Sequence, residues 1–310
     1  MGIIEAKFCL KTIGSPSYYL GNDYNYSEDE KAWVVGSLTH TKEAVRKVES
    51  HPVIGGKLHP HRTPLPTDCH PEISPSELLD DKMTNIYQIL IGLMQWVSVI
   101  GRLNIRFAVS SLSRFSTNPR QDHLILALHV MGYMKKYLNH RIVVDINPTK
   151  IDYELRNGYF DPNFLDDYKN TEEDLDPNLP EPFGRDLETT MFFDVDHAHA
   201  IGARRSITGL IGFGESTPVM WSSRRQGCIP SSTYCAEFIT MRNVVEKIIS
   251  LCYMLRCLGI PVTKPTFTFG GNCGVIQSAT IPASELKKKH IVISYHSVRE
   301  AIAARIMQAA

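Results

Sequence analysis

At 310 residues the chain exceeds one average domain, so two or three folding units are the starting expectation. It is 43% hydrophobic and 21% charged, and its 33 basic and 33 acidic residues balance to zero, which excludes a surface that is cationic throughout and binds polyanions everywhere. Seven Cys with no secretory leader and no close Cys-x-x-Cys pair exclude a disulfide framework or a zinc module and point to a reducing intracellular setting, cytoplasm or nucleus.

Residues 1–21 hold a short amphipathic piece and a Gly-Ser-Pro turn before the aromatic strand Tyr18-Tyr19-Leu20. Tyr24 to Lys31 is polar and reads as a turn, Ala32 to Leu38 as a short strand, and Lys42 to Glu49 as a weakly helical charged segment. From 51 to 81 the chain is rich in Pro, His and small polar residues without apolar periodicity, which predicts an extended surface linker. His59-Pro60-His61 lies there, but with no paired Cys and no helix to set the spacing, the pattern predicts solvated loop histidines.

Helical order returns with Ile86, Ile89, Leu90, Leu93, Met94 and Val97, the spacing of one buried face. This run is interrupted by Gln88, Gly92 and Gln95 and reads as too short for a bilayer span, so no membrane segment is expected. A second helix is predicted near Phe107 to Phe115 and a third from about Gln121 to Leu138, with Asn118-Pro119 as the stop between them. Ile142 to Ile146 reads as a strand. Residues 161–188 are acidic and Pro-rich, too polar to pack, and predict a linker and domain boundary.

The last third, 189–310, carries the chemistry. Met191, Phe193 and Val195 alternate with Phe192, Asp194 and Asp196 in one strand. Ile207 to Phe213 and Val219 to Ser222 form a hairpin around Gly214 to Pro218. Ser231-Ser232-Thr233 offers N-cap hydroxyls to a helix that carries Glu237 near its start and stops at Gly259. Thr266 to Phe269 is a further strand, and terminal helices follow from Glu285 to Arg305. Strands followed by a helix, a strand and more helices make a mixed α/β layer.

Two-metal phosphodiester hydrolysis needs several carboxylates converging within about 4 Å of each other, and Mg²⁺ takes oxygen ligands. Asp194 interrupts an apolar strand, which fits either a metal ligand or the solvent side of an edge strand. Glu237, alone, fits a favourable interaction with the helix dipole, worth roughly 0.3–1 kcal/mol. Asp194, Asp196, His197 and His199 do not make a transition-metal site, because alternation turns the His pair away from the Asp pair. Arg204-Arg205, Arg224-Arg225 and Lys287-Lys288-Lys289 either line a nucleic-acid backbone or make a solvated basic surface.

Trp221 to Phe238, WSSRRQGCIPSSTYCAEF, resembles the W-x-S-x-K-Q … S-S-T-x-A-E-Y stretch of copia-type retrotransposon ribonuclease H domains. FFDVDHA resembles that family's S-D-A-D-W-A, Arg205-Ser206-Ile207-Thr208-Gly209 its R-K-S-T-S-G, and the run from Lys289-His290-Ile291 to Arg299-Glu300 its K-H-I-D-I-R-Y-H-x-x-R-E. Upstream, Tyr87, Leu90, Gly92, Phe107-Ala108-Val109, Leu112 to Phe115, Pro119, His123 and Tyr133 are similar to its connection segment, and Tyr19-Leu20-Gly21 to the close of its reverse transcriptase domain.

The resemblance implies a Pol polyprotein fragment: 1–50 the end of a reverse transcriptase, 51–81 a linker, 82–160 a helical connection, 161–188 a second linker, and 189–310 a ribonuclease H-like mixed sheet with flanking helices. It implies Asp194 and Glu237 as catalytic metal ligands, with Asp196 as a partial substitute ligand, Mg²⁺ or Mn²⁺ as cofactor, and an RNA-DNA hybrid as the weakly held, salt-sensitive partner. It leaves open association with a full-length retroelement Pol. The family's third ligand is the Asp of C-D-N-Q-S-A, and Gly271 stands in its place. The family's fourth Asp, expected in an A-D-x-x-T-K run beyond the last helix, and the polymerase Y-x-D-D motif are both missing from this sequence. With two carboxylates the expectation is a domain that folds yet cleaves poorly or not at all; the alternatives are a non-catalytic nucleic-acid or protein interaction module, or a decaying remnant.

Overall fold

The computed structural model describes residues 17–151, 164, 168, 171–197, 204–284, 286 and 289–310. The first part is built on an antiparallel sheet in the order β1 (Tyr18–Tyr19), β2 (Asn22–Ser27), β3 (Ala32–Gly36) and β4 (Arg141–Val143). Strand β2 occupies much of the stretch predicted as a polar turn. The aromatic residues explain it: Tyr26 lies directly opposite Trp33, their rings edge to face at 6.2 Å, and such cross-strand pairs stabilise a ladder. Helix α1 (Leu38–Glu49) starts earlier than its charged face suggests, because Asp23 reaches over from β2 to accept from the Thr39 N–H at 2.8 Å and the Thr39 hydroxyl at 2.6 Å.

Helices α2 (Asp81–Ile100), α3 (Arg106–Ser113) and α4 (Gln121–Lys136) follow the predicted spacing. Asp80 caps α2 by accepting from the Met83 N–H at 2.7 Å, and Ile86, Tyr87, Leu90, Met94 and Val97 form its buried stripe. At twenty residues α2 does have the length and composition of a bilayer span, unlike the interrupted run read from sequence; here its stripe fills the first core with Leu112, Val130 and Met134. Ala44, Val45 and Val48 of α1 join the same core, and β4 pairs with β3, so residues either side of 51–81 close into one packed unit. The 51–81 stretch is extended but tied down: Leu58 is buried, Glu49 accepts from its N–H at 2.9 Å, and Lys135 pairs with Glu49 at 2.6 Å. His61 is stacked on His129 with centroids 3.6 Å apart, where sequence predicted solvated histidines.

The second sheet runs β7-β6-β5-β8-β9, with β5 (Thr189–Asp196), β6 (Ile207–Gly214), β7 (Thr217–Arg225), β8 (Thr266–Gly270) and β9 (Met307–Ala309). The first three strands are antiparallel; β8 is parallel to β5 and β9 to β8. Helices α5 (Thr233–Cys257), α6 (Cys273–Thr280) and α7 (Val292–Ala303) flank it, making a mixed α/β layer. Met191, Phe193 and Leu210 meet Phe238, Met241, Val245 and Ile248 of α5 in the second core, while Phe192 stacks against Phe269 from the alternate side of the strand.

The acidic 161–188 stretch, predicted too polar to pack, contributes buried Phe164 to this second core. Parts of it are tied to the domain: Glu173 pairs with Arg256 at 2.7 Å, Asp186 accepts from the Thr263 N–H and hydroxyl at 2.9 Å each, and the Phe183 N–H donates to the Gly259 carbonyl at 2.9 Å. The two parts meet along β7. The Trp221 indole N–H donates to the Ser98 carbonyl at 2.7 Å, and the Thr217 hydroxyl both accepts from the Asp145 N–H at 2.8 Å and donates to its carbonyl at 3.0 Å.

Candidate metal and nucleic-acid site

The site forms where β5, the start of α5 and the end of β8 converge. Phe193 pairs in register with Gly270, which places Asp194 beside the turn that follows β8. Asp194 is exposed near the end of its strand. Glu237, by contrast, is buried at 4% exposure, and its Oε2 has no hydrogen-bond partner. Burial, and then the charge of Asp194, pushes its pKa up to about 7, so the two carboxyl groups sense each other.

Gly271 stands at the third corner. A Cβ there would lie 3.7 Å from Asp194 Oδ1, with no other atom beyond its chain neighbours within 4 Å, so there is room for an acidic side chain beside Asp194. Neighbouring Gly270 differs: a Cβ there would run into the Phe193 ring. Gly270 is therefore fixed by packing, whereas Gly271 is not. Asn272 accepts from the Val275 N–H at 3.3 Å and caps α6, which engages its side-chain oxygen.

Glu237 is positioned by a residue that the sequence pattern alone did not single out. Buried Gln226 donates to the Ala236 carbonyl at 3.0 Å and to the hydroxyls of Thr208 and Thr240 at 3.1 and 3.0 Å, which clamps the start of α5 to β6. Its signal was the Q of the W-x-S-x-K-Q run. Ser232 caps the helix, accepting from the Cys235 N–H at 3.3 Å.

Asp196 does not complete the set. It lies two residues further along β5, opposite Ile207, and among the described residues no three His, Cys, Asp or Glu side chains gather as a metal-holding group. His197 sits 3.3 Å from the Ser206 hydroxyl, and His199 lies outside the described residues. The donor set present among the described residues, one exposed carboxylate and one buried carboxyl, falls short of the several carboxylates that a pair of divalent ions takes.

The cationic candidates separate. Lys287 and Lys288 lie outside the described residues; Lys289 is exposed in the turn leading to α7 and is not among the residues lining the groove that holds Arg224 and Arg225. Arg204 and Arg205 precede β6, whose first residue, Ile207, pairs with Arg225. Arg224 and Arg225 end β7 in a groove shared with Arg106 and Arg114 of the first part. No sequence spacing could show that pairing, because more than a hundred residues separate its halves.

No protein-family profile matches the chain. In sequence it is similar to the retrovirus-related Pol polyprotein from transposon RE1 of Arabidopsis thaliana, 25% identical over 216 residues, which covers 70% of this chain and 12% of that protein. It is similarly related to the Pol polyprotein from transposon TNT 1-94 of Nicotiana tabacum, 24% identical over 216 residues, covering 70% of this chain and 13% of that protein. The chain thus spans about an eighth of the length of these relatives. In structure it aligns with the foamy viral protease-reverse transcriptase solved with double-stranded DNA, at TM-score 0.39 and 10% identity, covering 94% of this chain and 37% of that one.

Proposed function

We propose that this chain, similar over 70% of its length to the Pol polyproteins of copia-type transposons, carries a ribonuclease H-like domain that engages RNA-DNA hybrid but has lost efficient hydrolysis. The observation that carries the reading is the geometry at Gly271, where a Cβ would stand 3.7 Å from Asp194 Oδ1 and no carboxylate stands. With two carboxyl groups, most of the charge of two Mg²⁺ or Mn²⁺ ions would be left for substrate and water to balance. Hybrid binding draws support from the exposed arginines at the end of β7, Arg224 and Arg225, and does not require the missing acid.

The test is hydrolysis of a labelled RNA-DNA hybrid with Mg²⁺ or Mn²⁺ by the wild type, by Gly271→Asp and by Gly271→Asp combined with Asp194→Asn. The expected outcome is little or no cutting by the wild type, at least a tenfold gain in Gly271→Asp, and loss of that gain in the double variant. Robust cutting by the wild type that vanishes in Asp194→Asn overturns the proposal.

A further inference from the structure

Between α2 and α3 of the first part and β7 and α5 of the second lies a groove of about 1160 Å³. Arg106, Arg114, Arg224, Arg225 and Lys247 line it, and the one carboxylate in its wall, Glu246, is held by Arg242 at 2.8 Å. A chain whose formal charge is zero thus gathers five cationic side chains on one concave surface.

Their partners do not balance them. Among the described residues no carboxylate pairs with Arg106, Arg224, Arg225 or Lys247, and Arg114 comes only within 4.0 Å of Glu72. Arg106 donates to the Ser98 hydroxyl at 3.2 Å, yet its Nε and the Nε of Arg114 are buried without hydrogen-bond partners. Burial, and then the facing charge of Arg224, lowers the pKa of Arg106; burial and then Arg225 lower that of Arg114. Like charges held together in partial burial destabilise the fold unless an anion neutralises them. Arginine's planar fork matches phosphate oxygens, and Ser110, Ser222 and Ser223 bring further hydroxyls to the same walls.

We propose that this groove between the two parts binds phosphate groups, carried by a nucleic-acid strand or free as a di- or triphosphate. The first source builds on the hybrid-binding reading and gives it a surface that spans both parts; the second stands without it.

The experiment measures binding of a labelled RNA-DNA hybrid by fluorescence anisotropy and of inorganic pyrophosphate by calorimetry, for the full chain and two double variants, Arg106→Gln/Arg114→Gln and Arg224→Gln/Arg225→Gln. The second pair is exposed at a strand end, so that variant keeps the fold, checked by circular dichroism, and decides the matter if the first does not fold. The expected result is at least a tenfold loss of affinity in the folded double variants, with a hybrid salt slope shallower by about one for each phosphate no longer neutralised. Hybrid binding without pyrophosphate binding identifies a nucleic-acid strand as the source, and pyrophosphate binding alone identifies a free phosphate. Wild-type hybrid affinity unchanged in Arg224→Gln/Arg225→Gln, with no pyrophosphate binding, overturns the groove but leaves the hybrid-binding reading standing; no binding of either ligand by the wild type overturns both.

Discussion

Glu237 carries the strongest electrostatic tension in the candidate site, and its sign can be worked out. Its pKa rises from the ordinary 4.5 to about 7 on folding, so between those values the folded chain holds a proton that the unfolded chain has released. Folding stability therefore falls as pH rises through that window and levels off above it, by roughly 3 kcal/mol in all. Glu237→Gln removes the titration while keeping the shape. Urea unfolding should then show the variant more stable than the wild type at pH 8 and nearly equal to it at pH 5; equal stability at both would mean that the carboxyl is better solvated than its 4% exposure implies. Asp194 and Glu237 were legible in the sequence only through their neighbours, since each alone fits a plainer role. The geometry at Gly271 was legible as an identity, a Gly where an acid is expected, but not as open space beside a carboxylate.

At the level of elements, period and capping residues located the helices because burial on one face and an N-terminal hydroxyl or carboxylate are local properties. The stripe Phe238, Met241, Val245 and Ile248 was readable for that reason. What local pattern missed was β2, where cross-strand aromatic pairing overrides a polar composition, and the acidic stretch, where Glu173 is paired by Arg256 far along the chain. Phe164 shows the difference most sharply. It is fully buried, with the Arg299 guanidinium 4.5 Å over its ring. Phe164→Ala should lower unfolding free energy by about 3–5 kcal/mol, the cost of emptying an aromatic core site. Chemical denaturation checks this, and a change within about 0.5 kcal/mol would return the residue to the status of an exposed linker position.

At the scale of the whole molecule, the two cores are bridged by the hairpin of β6 and β7, which belongs to the second sheet but hydrogen-bonds to α2 and to the end of β4 through Trp221 and Thr217. Bonds of this kind contribute about 0.5–1.5 kcal/mol each, enough to couple two units whose own stabilities are several kcal/mol. The wild type should accordingly unfold in one calorimetric transition, with calorimetric and van't Hoff enthalpies in agreement. Thr217→Ala combined with Trp221→Phe deletes the side-chain bonds to Asp145 and Ser98 while keeping an aromatic ring in the groove wall. The double variant should then broaden or split into two transitions, one for each core. Two separate transitions already present in the wild type would show that the hairpin does not couple the parts, and a groove built from arginines of both would lose the fixed geometry its phosphate binding requires.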